Sequence, residues 1–144
     1  MLGWITASYA LAHIQQAFGR KVFLYEFNAE IPGEENGEAF HGSEMWFAYD
    51  SLARCWRPFT GKHYDLARQI SSYWANFIRT GNPNGKDSAG KELPVWKNCT
   101  DQEPGIMVFT DRGEMRIREP GKLMKFRMAS AICEQRADSC RKEK

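Results

Sequence analysis

The sequence predicts an α/β chain in which helices cover a mostly parallel sheet. Three observations carry that expectation. A helically spaced N-terminal stretch runs straight into a short, nearly continuous apolar and aromatic segment, Val22-Phe23-Leu24-Tyr25-Glu26-Phe27. A run that apolar suits a strand buried on both faces, as in parallel sheets packed between helices. One strongly amphipathic helix follows over 63–80, and further short strands come after it.

The elements follow in order. Leu2, Ile5, Tyr9, Ala12, Ile14, Ala17 and Phe18 recur at helical spacing over 2–18, and Gly19 stands where a helix C-terminus needs a left-handed residue. After the strand, residues 28–40 (NAEIPGEENGEAF) read as a long acidic loop punctuated by Pro32, Gly33 and Gly37. Thirteen residues without regular structure exceed the usual connection, and such loops often carry function. Residues 43–53 predict a short helix with Ser43 as its N-cap. Over 63–80, Leu66, Ala67, Ile70, Tyr73, Trp74, Phe77 and Ile78 form one stripe, closed by Gly81 and Pro83. Residues 81–92 read as an exposed loop, and Leu93-Pro94-Val95-Trp96 as a segment tucked back on the body. Ile106–Phe109 predicts a strand, 110–113 a turn and 114–118 an edge strand. A helix is expected over about 122–136, then a frayed tail over 137–144. Residues 1–144 are expected to form one domain segment.

Composition excludes several classes. The chain has 144 residues, is 42% hydrophobic and 26% charged, and carries 20 basic against 18 acidic side chains. That is globular composition, without the charge excess of a nucleic-acid binder. Mean hydropathy is −0.58, and no apolar run reaches the length of a membrane span. The N-terminal stretch lacks the basic region of a signal peptide. Cys55, Cys99, Cys133 and Cys140 form no C-x-x-C pair and no zinc spacing. They are expected as free thiols, which favours a reducing, cytoplasmic setting. Asn98-Cys99-Thr100 matches the glycosylation sequon, a short and unspecific match. Neither phosphate-binding glycine motif occurs, so no phosphate cradle is signalled.

Three histidines are available. His13 lies on the first helix among apolar residues and reads as packing or surface. His63 precedes the long helix beside Lys62 and reads as a solvated first-turn residue. His41 follows a buried strand and a long loop, which places it near the C-terminal edge of the sheet, where sites of open α/β folds gather. Cys55 stands beside Trp56 and reads as a packed thiol rather than a partner of His41.

Six segments now fall in one order: the strand 22–27, Ala39-Phe40-His41-Gly42-Ser43-Glu44, Trp56-Arg57-Pro58-Phe59-Thr60, Tyr73-Trp74-Ala75-Asn76-Phe77, Thr80-Gly81-Asn82-Pro83-Asn84 and Leu93-Pro94-Val95-Trp96. Together they resemble the C-terminal part of the type-B carboxylesterase/lipase family, cholinesterase-like α/β-hydrolases, from about Val22 to Phe109. The resemblance implies an α/β-hydrolase segment that is incomplete on its own. It implies His41 as the histidine of a Ser-Glu/Asp-His triad, acting on a small-molecule ester. Glu44 matches the H-x-x-E pattern and is expected to hold the local backbone or a hydrogen-bond network. The family's order, Ser then acid then His, puts both partners of His41 upstream. Ser8 lacks the elbow glycines, and Ser88 in Lys86-Asp87-Ser88-Ala89-Gly90 lies after the histidine with no strand before it. The chain alone is therefore expected to be inactive. A non-catalytic binding or adhesion module on the same fold is the alternative, and an independent small α+β domain a third. Self-association is expected through the 122–136 helix or exposed sheet edges.

Overall fold

The computed structural model describes residues 2–33, 37–100, 103 and 105–117. The helix expected over 122–136, the tail 137–144, Cys133 and Cys140 lie outside the described residues. Two compact units form, one containing residues up to Leu24 and the segment at Asn98–Ile106, the other Tyr25–Lys97 with Met107–Arg116.

In the first unit, α1 spans Leu2–Ala17. The Gly19 N–H closes it onto the Gln16 carbonyl at 2.8 Å. Tyr9 and Ala12 are buried, and Leu24 packs against Tyr9 and Cys99. Val22 is bonded on both sides by one segment: its N–H donates to Asn98 Oδ1 at 2.7 Å, and its carbonyl accepts from the Cys99 N–H at 2.8 Å. That pairing corrects the expected strand. Val22–Leu24 lie outside the sheet, and Asn98, the sequon residue, serves as a backbone acceptor.

In the second unit, β1 is only Tyr25–Phe27. It runs parallel to β2, Gly105–Phe109, with Tyr25 facing Met107 and Phe27 facing Phe109. The third strand, β3 (Gly113–Ile117), completes the order β1-β2-β3. Every residue of β2 is buried, as a central strand requires. β1 is an edge of this sheet, and Tyr25 is 40% exposed, so the expectation of burial on both faces holds for β2 and not for β1.

The second helix, α2, spans Glu44–Ala48, and a 3-10 turn follows at Leu52–Arg54. The third, α3, spans Gly61–Thr80. Leu66, Ala67, Ile70 and Tyr73 lie on its buried face as the spacing predicts. The stripe fails at its C-terminal end: Ile78 is 82% and Phe77 47% exposed, while Asn76 is buried. The reason is the loop that follows. Gly81 (φ 72°) turns the chain in the left-handed region, and the loop folds back over Asn76. Asn76 Nδ2 donates to the carbonyls of Pro83 (3.3 Å) and Lys86 (3.2 Å). Gly85 permits this approach: its φ is 138°, and a Cβ there would stand 3.3 Å from Asn76 Nδ2.

The same loop is not simply exposed. Asn84 and Trp96 exchange two bonds, Trp96 N–H to Asn84 Oδ1 at 2.6 Å and Asn84 Nδ2 to the Trp96 carbonyl at 2.9 Å. Asp87 is buried and accepts from Arg68 Nε and the backbone N–H groups of Ala89 and Lys91. Those donors hold its carboxyl below the usual carboxylate range, the Lys91 amide foremost. The motif residues Asn76, Thr80, Asn84 and Trp96 are thus a clasp that closes α3. Trp96 then meets Tyr73 and Phe109 edge to face at 5.3 and 5.7 Å, fixing α3 on β2.

Candidate active site around His41

The loop leaving β1 is more ordered than its composition suggests. The Asn28 N–H continues the strand ladder onto the Phe109 carbonyl at 2.7 Å. Ile31 is fully buried and bridges Gly37 across the loop, its N–H bonding the Gly37 carbonyl at 3.0 Å. An apolar anchor in the middle of an acidic segment corrects the reading of 28–40 as structureless.

The loop ends on a tight turn. Both the backbone N–H and the hydroxyl of Ser43 donate to the Phe40 carbonyl, at 3.0 and 2.7 Å. Ser43 is helical in backbone (φ −65°, ψ −26°) and bonds backwards, so it does not cap α2 as expected. It is fully buried and ties the backbone on either side of His41. α2 is seated by Phe47, whose ring lies 5.0 Å from that of Phe27, the last residue of β1. His41 stands three residues before α2, the helix whose Phe47 packs on the last residue of β1. It is exposed, and its imidazole has no hydrogen-bond partner among the described residues. Glu44 stands in the first turn of α2, half-buried. Its charge reaches Tyr25: burial first, then Glu44, raises the Tyr25 phenol above its ordinary value.

Arg57 closes this region. Its guanidinium donates to the Pro32 carbonyl at 3.0 Å and lies over the rings of Trp56, Phe40 and Trp46, at 4.8, 5.5 and 5.9 Å from their centroids. Trp56 itself is exposed, and Cys55 is a half-buried free thiol.

His63 corrects the sequence reading. It is 5% exposed, not solvated. It serves as the N3 residue of a capping box in which the Thr60 N–H donates to His63 Nδ1 at 2.9 Å. The signal was present: Thr60 three residues before His63 has capping-box spacing, with imidazole replacing the usual carboxylate. Burial, then neighbouring Lys62, pulls its pKa down against weaker opposing contributions from Glu30 and the Thr60 backbone. The fold therefore favours neutral imidazole. The stability it contributes is complete above the ordinary value near 6.5 and is lost as pH falls through the lowered one. Thermal melts from pH 7.5 to 5 are expected to show a steeper loss of Tm in the unsubstituted chain than in His63→Gln, which retains an acceptor at N3.

A cleft of about 290 Å³ opens at the C-terminal ends of β1 and β2, lined by Asn28, Glu30, Lys62, His63, Leu66, Thr110 and Asp111. It carries two carboxylates, Glu30 and Asp111, against one ammonium, with Lys62 Nζ 3.0 Å from Glu30. His41 is not among its walls. Among the described residues, no three His, Cys, Asp or Glu side chains converge as a metal site, and no helix is long and apolar enough to cross a membrane. Ser88 is exposed, its N–H bonded to Ser72 Oγ at 3.1 Å, and Ser8 is exposed on α1.

A parallel β1–β2 pair covered by α3, with a long loop delivering a histidine past a strand end, defines a segment of an α/β-hydrolase. A solved esterase from Clostridium hathewayi has the same fold over 83% of this chain and 22% of its own, at TM-score 0.65 and 24% identity. The carboxylesterase family model matches residues 3–128, and the chain belongs to the carboxylesterase family. Carboxylesterase 4A of Bos taurus is 36% identical over 118 residues, covering 75% of this chain and 20% of that protein. Phenmedipham hydrolase of Pseudarthrobacter oxydans is 30% identical over 122 residues, covering 79% of this chain and 23% of that protein. The chain spans about a fifth of the length of these relatives.

Proposed function

We propose that this chain supplies the general acid–base histidine, His41, to a serine hydrolase of carboxylic esters. The observation that carries the reading is the position of His41: exposed, with its ring unbonded among the described residues, on a backbone pinned by Ser43 ahead of the helix packed on the end of β1. One imidazole nitrogen accepts the proton of a serine Oγ as that oxygen attacks the ester carbonyl. The proton then passes to the departing alkoxide, leaving an acyl-serine. In the second half, His41 takes a proton from water, the hydroxide attacks the acyl carbon, and the serine oxygen regains its proton. The second ring nitrogen is the donor to the triad carboxylate, which fixes the tautomer. Serine and carboxylate both belong to the upstream part of the fold. Glu44 is a supporting residue on the first turn after the histidine. The substrate is a small-molecule ester, and no cofactor enters the reaction.

Hydrolysis depends on nucleophile, base and oxyanion donors acting together, so the 144-residue chain alone is expected to be inactive. The test is hydrolysis of a short-chain aryl ester. No turnover is expected from the chain, and turnover is expected once it is joined to the upstream part of a carboxylesterase fold. Turnover by the chain alone, abolished by His41→Ala, would overturn the assignment of the nucleophile to an upstream segment.

A further inference from the structure

The loop that carries His41 is held at both of its ends by one side chain. Near its start, the Arg57 guanidinium donates through Nη1 to the Pro32 carbonyl at 3.0 Å. Beside its end, the same guanidinium lies 5.5 Å from the ring centroid of Phe40, the residue before His41. Its other neighbours, Trp46 and Trp56, complete an aromatic surround. Arg57 makes no ion pair with a carboxylate among the described residues, and its Nε is buried without a hydrogen-bond partner. The charge is held by a carbonyl and by π-faces. Gly33 makes room for it: a Cβ there would stand 2.5 Å from Arg57 Nη1.

Arg57 is half-buried, and a partly desolvated cation without a counter-charge needs compensation. A planar guanidinium that both donates and stacks meets the geometry, whereas a lysine ammonium provides the charge alone. The two points it joins lie on the two arms of the Ile31–Gly37 bridge, Pro32 next to Ile31 and Phe40 three residues past Gly37. Moving Arg57 therefore frees the segment whose end sets where the imidazole stands. We infer that Arg57 is a positioning residue for His41, acting by clamping both ends of its loop.

The inference rests on His41 as the acid–base group, and the experiment separates the two. In a polypeptide joining this chain to the upstream part of a carboxylesterase fold, kcat and KM for an aryl ester are measured for Arg57→Lys, Arg57→Gln, His41→Ala and the double variant Arg57→Gln/His41→Ala. Active sites are counted with a fluorophosphonate in the variants that keep His41, and by folded-protein concentration in the two His41→Ala backgrounds, where no activated serine reacts with it. Loss of position by about 1 Å costs on the order of 10²-fold in rate. Arg57→Gln is expected to lower kcat per titrated site by about that factor at nearly constant KM, with Arg57→Lys between it and the unsubstituted polypeptide. In the His41→Ala background, Arg57→Gln is expected to change kcat by less than about twofold, because its effect runs through the absent imidazole. An equal loss in both backgrounds would overturn the clamp while leaving His41 in place. An unchanged kcat in His41→Ala would overturn the reading of His41 itself.

Hydrogen exchange on the 144-residue chain gives an independent readout that needs no active composite. Arg57→Gln is expected to accelerate exchange at the Ile31 and Ser43 amides and to leave the middle of α3 unchanged. Unaltered exchange at Ile31 and Ser43 would overturn the clamp.

Discussion

His41→Ala is expected to lower kcat for an aryl ester by about 10⁴-fold or more in a polypeptide that completes the fold. Its effect on thermal stability should be small. The two consequences separate because His41 is exposed, while the neighbouring Ser43 hydroxyl and Phe40 ring hold the turn without it. An exposed side chain away from core and caps typically contributes within about 0.5 kcal/mol to stability. A base withdrawn from nucleophilic catalysis removes the route by which the serine proton leaves, and the remaining contributions of binding and oxyanion donors recover little of the rate. Parallel losses of Tm and kcat would mark the histidine as structural.

Phe109→Ala is expected to be the most destabilising single change in the sheet, by about 3–5 kcal/mol, read as a fall in the denaturant midpoint. Phe109 is fully buried at the end of β2 and meets the rings of Tyr73, Trp96, Tyr25 and Trp74 at centroid distances of 5.9, 5.7, 6.1 and 6.3 Å. Truncation removes an aromatic ring from the point where α3, the 93–96 segment and both parallel strands converge. The contrast is Ile78→Ala. An apolar stripe over 63–80 puts Ile78 with Tyr73 on one face, yet at 82% exposure its truncation should shift the midpoint hardly at all. Measuring both on the 144-residue chain separates packing in the fold from helical periodicity.

That contrast marks how far the sequence could be followed. Helix spacing located α1 and most of α3, and Gly81 with Pro83 marked the end of α3, because these signals are local. The apolar run at 22–27 overstated β1, since hydrophobicity does not reveal that Asn98 and Cys99 bond Val22 on both sides. The end of the α3 stripe failed for the same reason: a loop returning over Asn76 is a tertiary event that periodicity does not contain. Asn76, Asn84 and Trp96 were visible as motif residues, but their role as a clasp required the geometry. At the candidate site, His41 is singled out by its place after a strand and by the family's pattern around it. Arg57 was missed. Its partners are a backbone carbonyl at Pro32 and rings dispersed over Phe40, Trp46 and Trp56, and no residue spacing announces such a contact. His63 was misplaced because a charged neighbour, Lys62, suggested solvent where the Thr60 box buries the ring.

The central claim is that, of three histidines, only one moves protons during ester hydrolysis. Its most direct test is the initial rate of aryl-ester turnover, per folded polypeptide, for His13→Ala, His41→Ala and His63→Gln in the completed polypeptide. The account predicts collapse of the rate in His41→Ala alone, with the other two near the unsubstituted value. Turnover retained in His41→Ala, or lost instead in His63→Gln at a temperature where it remains folded, would contradict it.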